Sequence, residues 1–308
     1  MRVLLAGDTH GDSRQATGLI SVALAEGCEG IVVLGDWGFT WPTEYPRLLK
    51  WLHNQLQDVG LWMKFVDGNH ENYTLLRDLG AFEGGVAVVR DREVPLADTV
   101  SYLPRGYTWE WDGIRFMSLG GAFSVDVDHR TSEWVHQRFG SSKYSGHLAA
   151  PGKNPARCRE CDEEIRPHRR KPSWWPEELI TDEDVEAASA VGPVDVMLTH
   201  DSPETTELRN ELHNMRDAWN LGYKIDAVSA GNRRRLERVV EAVQPKFLFH
   251  GHYHMWIQGE YGETHVQGIN RDGTGHASYS VFDTDHYREL IAARSAPSDE
   301  PQAGRLES

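Results

Sequence analysis

No apolar run in this 308-residue chain approaches the roughly 20 residues needed to cross a bilayer. A membrane-spanning protein is therefore not expected. The opening MRVLLAGDTHGD turns polar after five residues, too early for the apolar core of a secretory signal, and the expected location is the cytoplasm. Basic charge is also scarce, with 32 Lys and Arg against 47 Asp and Glu and a net charge of −15. That balance excludes a general nucleic-acid coat, which needs clustered cations against phosphate. The excess acid is either solvated surface or carboxylate committed to divalent metal. Three cysteines, Cys28, Cys158 and Cys161, are too few for a disulfide framework and suit a reducing compartment.

What the chain does have is five short apolar runs, each bounded by Gly, Asp, Asn or Pro: RVLLAGD (2–8), IVVLGD (31–36), KFVDGNH (64–70), VDVMLTH (194–200) and KFLFHGH (246–252). Continuous apolar runs of this length read as strands buried on both faces. Helical patterns lie between them. Asp12 is placed to cap a helix from Ser13 to about Glu26, and Leu48, Leu52 and Leu56 repeat at helical spacing, as do Leu236, Val239, Val240 and Val243. Alternating strands and helices predict an α/β fold with a largely parallel inner sheet. The stretches 100–121 and 255–269, followed by 277–285, read as hairpins that add antiparallel strands. The expected architecture is a layered sandwich of two mixed β-sheets flanked by helices.

One catalytic domain is expected over residues 1–294, with a lid-like insertion at about 124–179 and a disordered polar tail at 295–308. The insertion has few aliphatic residues, many Gly, Pro, Arg and Trp, and no sustained period. SWWPEE (173–178) reads as the point where it returns to the core, with Trp174 or Trp175 buried.

The chemistry lies at the ends of the five runs, which deliver Asp8 and His10, Asp36, Asn69 and His70, His200, then His252 and His254. Ligands of open α/β sheets sit beyond the carboxyl ends of the strands. Singly, each residue reads as a cap, a turn or a surface histidine. Together they need five coincidences where one shared metal site needs a single cause. The stretch HGHYH (250–254) would put three histidines on one face if the strand continued through it.

In order, GDTHGD, LGDWG, GNHE, LTHD and GHYH resemble the five motifs of the calcineurin-like metallophosphoesterases. The resemblance spans residues 8–254, apart from the 124–179 segment, and implies two divalent transition-metal ions. Asp8, His10 and His254 would hold the first, Asn69, His200 and His252 the second, and Asp36 would bridge them. With the strand ending at Gly251, His250 falls outside the motif, as a supporting or packing residue. Imidazole, carboxylate and amide oxygen suit Mn, Fe, Zn, Co or Ni, with Mn the first expectation. The implied reaction is hydrolysis of a phosphodiester or phosphomonoester by in-line attack of a metal-bound hydroxide. His70 is implied as the catalytic residue that protonates or stabilises the leaving oxygen. Glu71 is expected to cap a helix. Gly7, Gly35, Gly68 and Gly251 are expected where a larger side chain would crowd the metals.

The sequence departs from the Ser/Thr protein phosphatases of the family, which carry an Arg just before G-N-H-E. Asp67 stands there instead, and GDWGFTWP follows the second motif. Diesters are therefore slightly favoured over a protein phosphatase activity, with a nucleotide, cyclic nucleotide or nucleic-acid strand as substrate. The reading from another class is a non-catalytic metal-binding scaffold. No obligatory protein partner is evident. Trp37, Phe39 and Trp41 either wall the cleft or pack under the first helices. Asp126 and Arg130 are candidates for substrate contact at the cleft rim. In the insertion, Cys158, Cys161 and His168 form a partial structural zinc pattern, with His147 the nearest fourth ligand; the alternative is two free cysteines in a loop. The run of Lys and Arg from Lys153 to Lys171 is either a solvated face or a surface for phosphate.

Overall fold

A computed structural model describes residues 1–40, 46–124, 175–219 and 223–295. The first half runs β1 (Arg2–Ala6), α1 (Ser13–Ala25), β2 (Gly30–Val33), α2 (Arg47–Val59), β3 (Trp62–Phe65) and α3 (Tyr73–Asp78). Six strands follow: β4 (Phe82–Glu83), β5 (Val86–Ala87), β6 (Val94–Ala97), β7 (Val100–Tyr102), β8 (Thr108–Trp111) and β9 (Ile114–Leu119). Then come α4 (Asp182–Ser189), β10 (Val196–Thr199), α5 (Thr206–Trp219), α6 (Tyr223–Val243) and β11 (Phe247–His250). The last elements are β12 (Ile257–Tyr261), β13 (Thr264–Gly268), β14 (Tyr279–Asp283) and α7 (Thr284–Ser295). Among the described residues no helix is long and apolar enough to cross a membrane.

Two six-stranded sheets have the orders β14-β1-β2-β3-β7-β6 and β12-β13-β11-β10-β9-β8, each parallel at its centre and antiparallel at its edges. The five apolar runs thus divide between the sheets, three in the first and two in the second, rather than sharing one inner sheet. The stretch 100–121 divides as well. β8 and β9 form the expected hairpin, but β7 pairs with β6 and β3 in the other sheet. Residues 257–268 do form a hairpin, and β14 crosses back to pair antiparallel with β1.

Period-two alternation explains why the runs are apolar throughout. Val3 and Leu5 of β1 face the interior between the sheets, with Val32, Leu34, Phe116, Leu198, Phe249 and Phe282. Leu4 and Ala6 point the other way, under Leu19, Ala23, Leu52 and Leu56 of α1 and α2. In the second sheet Met197 and Leu248 face outward beneath Leu236, Val239 and Val243 of α6. The result is four layers, helix, sheet, sheet, helix. Asp12 caps α1 as expected, accepting from the amides of Arg14 and Gln15. Helix α7 continues through Ser295, so the chain stays regular to the start of the proposed tail; residues 296–308 lie outside the described set.

Trp37 and Phe39 are core residues, not cleft walls. Trp37 is fully buried and stacks on Phe65 at 4.4 Å between ring centres, and Phe39 lies against it at 5.3 Å. Both belong to the cluster that α1 and α2 cover, because the chain turns inward immediately after Asp36. Trp41 lies outside the described residues. Trp175 is buried, with its indole N–H donating to Thr74 Oγ1, as expected for the return of the insertion to the core.

Candidate metal centre

The C-terminal ends of β1, β2, β3, β10 and β11 open onto one site. Asp8 is fully buried two residues past β1. Its Oδ2 lies 3.0 Å from His254 Nε2 and 3.9 Å from His10 Nε2, and its Oδ1 accepts from the His252 amide at 3.0 Å. Asp36, after β2, has Oδ2 3.7 Å from His10 Nε2 and Oδ1 3.3 Å from His200 Nε2. Asn69 Oδ1 is 3.0 Å from His200 Nε2, and the His200 and His252 rings are 5.0 Å apart. All seven residues expected as ligands are joined by these contacts.

Ligand atoms of Asp8, His10 and His254 lie within 4.8 Å of one another, and so do those of Asp8, Asp36 and His200. Asp8 is common to both groups, and Asp36 turns Oδ2 toward His10 and Oδ1 toward His200.

The backbone is bent to achieve this. Six non-glycine residues among those described have positive φ, and His10 (47°), Asp36 (49°), His252 (65°) and His254 (55°) are four of them. Left-handed geometry at a non-glycine residue costs of order 1 kcal/mol, so its concentration here marks strain held by the surrounding fold. Close approach accounts for the glycines: a Cβ at Gly68 would collide with Asp36 Oδ1, and one at Gly251 with Asp8 Oδ1.

The electrostatics fit a divalent cation. Asp8 and Asp36 are buried carboxylates, and among the described residues their charged partners are imidazoles only, with no Lys or Arg. Burial opposes ionisation of Asp36, yet His200 and His70 hold its carboxyl well below the usual range. His200 donates from Nδ1 to the Leu34 carbonyl at 2.7 Å, which turns Nε2 toward Asp36 and Asn69. Burial works against its charged form, but the Asp36 carboxylate pushes it up to about 10. Two negative charges facing histidine nitrogens and an amide oxygen are a donor set for Mn, Fe, Co, Ni or Zn. Bound there, such ions would take over the neutralising role that protonated imidazole serves without them.

Several supporting residues carry no sequence signal. Asp272, in a loop that reads as an ordinary NRDG turn, takes His10 Nδ1 at 3.1 Å and donates its amide to the Asp8 carbonyl. Carboxylates in that position orient metal-binding imidazoles. Beneath Asn69 lies a buried ionic network. Asp67 Oδ2 accepts from Arg105 Nη2 (2.6 Å), Arg105 Nε (2.9 Å) and the Tyr73 hydroxyl (2.9 Å), while Oδ1 accepts from Tyr102 (2.8 Å). Burial, with Asp67 beside them, holds both phenols well above their usual range, so they remain donors. Arg105 also reaches Asp184 Oδ2 and the carbonyls of Glu177 and Leu179.

Glu71 does not cap a helix. Asn72 caps α3, accepting from the Leu75 amide. Glu71 is buried instead, and its Oε1 accepts from the Trp37 amide at 2.7 Å, tying the G-N-H-E turn to the turn after β2. Burial and the nearby Asp36 push its carboxyl well above the usual range.

His250 is the last residue of β11, and its Nδ1 donates to the Gly251 carbonyl at 2.9 Å. It packs in the interior while His252 and His254 turn into the site. Burial pulls its imidazole down to about 4. Below an unfolded-state value near 6.5, the unfolded chain takes up the proton first, so this contribution to stability is lost as pH falls from 6.5 toward 4. The shift corresponds to about 3 kcal/mol. In metal-free protein, the stability advantage of wild type over His250→Asn should shrink between pH 7 and pH 4.5 in urea unfolding. An advantage that does not change with pH would assign the effect to packing alone.

His70 is half-buried at the rim, with its amide donating to Asp36 Oδ1 at 2.7 Å and its ring 6.1 Å from that of His10. Asp126, Arg130, His147, Cys158, Cys161, His168 and the basic run lie outside the described residues.

Several solved structures are similar over most of their length. A protein of Thermus thermophilus has 12% identity and a TM-score of 0.47, covering 95% of this chain and 95% of that one. A dimetal phosphatase from Danio rerio has 14% identity and a TM-score of 0.46, covering 91% of each chain. A novel archaeal phosphodiesterase has 11% identity and a TM-score of 0.38, covering 93% of this chain and 96% of its own. No curated protein matches. Residues 1–256, which carry every motif of the site, match the calcineurin-like phosphoesterase family, and the chain belongs to that family of metal-dependent phosphoric ester hydrolases.

Proposed function

We propose that the chain hydrolyses phosphate esters at a dinuclear centre held by Asp8, His10, Asp36, Asn69, His200, His252 and His254, with phosphodiesters favoured over monoesters. The observation that carries this reading is the convergence of all seven side chains from five strand ends, with Asp36 Oδ2 turned to His10 and Oδ1 to His200. Bound there, a pair of divalent ions supplies a Lewis acid for the phosphoryl oxygens and activates the attacking water. Mn is the proposed metal and the cytoplasm the proposed compartment.

The protein's own share is placement and proton handling. The imidazoles and carboxylates present donors from a rigid sheet end, which keeps the geometry fixed during the reaction. His70 is placed by the hydrogen bond that its backbone N–H donates to Asp36 Oδ1, at the rim where a leaving oxygen would depart, and its imidazole can pass that oxygen a proton. The preference for diesters is supported by the fate of the nearby arginine. Arg105 is fully buried and committed to Asp67 and Asp184, so it does not grip a terminal phosphate. A nucleotide, a cyclic nucleotide or a nucleic-acid strand fits this chemistry.

The test loads metal-free protein with Mn²⁺, Zn²⁺ or Ni²⁺ and compares an aryl phosphodiester with its monoester. Turnover of both is expected, with the higher kcat/KM on the diester. Folded protein that turns over neither ester with any of the three metals sinks the enzymatic reading in favour of a binding scaffold. His70→Ala should lower kcat by about 10²- to 10⁴-fold, the usual contribution of a positioned proton donor. Metal content should be unchanged in that variant; lost metal would instead make His70 a ligand.

A further inference from the structure

Among the seven side chains proposed to hold the ions, Asn69 is chemically unlike the others. A carboxylate presents oxygen and an imidazole can present nitrogen, but an amide has one face that attracts a cation and one that repels it. The orientation of Asn69 must therefore be set by something other than shape, because the two faces are nearly the same size.

The structure contains such a device. Asn69 Nδ2 donates to Ser124 Oγ at 3.0 Å, and Ser124 Oγ donates to Glu178 Oε2 at 2.6 Å. Glu178 Oε1 accepts from the Trp175 amide at 3.2 Å, so both of its oxygens act as acceptors. All three side chains are buried, with exposures of 3% for Asn69, 1% for Ser124 and 0% for Glu178. Polarity passes along the chain in one direction. A carboxylate that accepts from Ser124 draws its hydroxyl hydrogen away from Asn69. The serine oxygen is then left to accept from the Asn69 NH2 group, and Asn69 Oδ1 is turned to His200 Nε2 at 3.0 Å. Ser124 and Glu178 come from opposite ends of the segment 125–174, 54 positions apart in sequence.

We propose that Ser124 and Glu178 are positioning residues that set the flip of the Asn69 amide, so that its oxygen and not its NH2 group faces a divalent cation beside His200 and His252. This rests on the two-ion reading above. Three polar groups on a buried line cost free energy unless each is satisfied, and here each is.

The discriminating experiment titrates metal-free protein with Mn²⁺ alone and follows both binding steps by calorimetry. Ser124→Ala should raise the Kd of one step about 10-fold or more, the usual effect of losing an outer hydrogen-bond partner of a ligand. Glu178→Gln should do the same by reversing polarity: the new amide NH2 donates to Ser124, whose hydroxyl then points at Asn69. In an Asn69→Asp background both changes should alter the Kd by no more than about twofold, because a carboxylate presents oxygen whichever way it turns. A merely structural role would weaken Mn²⁺ equally in both backgrounds, and that result overturns the proposal, as does an unchanged Kd for Ser124→Ala. Wild-type protein that binds fewer than two Mn²⁺ overturns the two-ion reading and the relay with it.

Discussion

Asp36→Asn is expected to lower kcat/KM by about 10³-fold or more, on the order of 4 kcal/mol of transition-state stabilisation. The same variant should hold fewer than two Mn²⁺ after desalting. Asp36 is the residue whose two oxygens face His10 and His200, and its Oδ1 also accepts from the His70 amide. Asparagine has nearly the same shape and tolerates the positive φ of 49° found there, so the fold should survive. What is lost is the negative charge between the two groups and one oxygen donor. Elemental analysis of the desalted variant, run beside its turnover, separates loss of metal from loss of chemistry. Two ions and wild-type turnover together would remove Asp36 from the centre.

Arg105→Met should cost about 3–5 kcal/mol of stability, because it leaves Asp67 buried with only two phenols to answer its charge. In a chain of this size that loss corresponds to a fall of about 10 °C in Tm. Asp184 is less affected, since Arg90 still reaches its Oδ1 at 2.7 Å. Adding Asp67→Asn should therefore recover a large part of the loss, since a neutral amide has no charge left to strand. Thermal unfolding of metal-free wild type, single and double variants measures both effects. A single variant with unchanged Tm would show that the guanidinium adds nothing beyond its volume. Asp67 immediately precedes the Gly68–Asn69 turn that presents a proposed ligand, so the same network supports the site.

The motif residues are legible because each follows a buried strand. Apolar runs such as RVLLA and FLF identify strands covered on both faces, and a polar residue just beyond such a run has to emerge at the sheet end. The supporting residues are hidden for the opposite reason. Arg105 sits in LPRG and Asp272 in NRDG, where the local pattern is an ordinary turn, and their partners are 38 and 262 positions away. Glu71 departs from its local reading as a cap, and Trp37 is left open between cleft and core, because their partners, too, are remote. Trp37 follows the second motif as a cleft residue would, yet β3 supplies Phe65 to stack on it.

By itself, the sequence determined the order of strands and helices, the end of the sheets at which the chemistry gathers, and the family. Local pattern carries these, since burial on two faces, helical period and motif spacing are properties of neighbouring residues. Only the tertiary structure decided that the five runs divide between two sheets and that Asp36 lies between His10 and His200. It also decided that Ser124 meets Asn69 and that Glu178, 54 positions further on, meets Ser124. Those outcomes depend on which strand edges pair and on where buried polar atoms find partners. Both are settled by contacts between residues far apart in the chain, which no local pattern records.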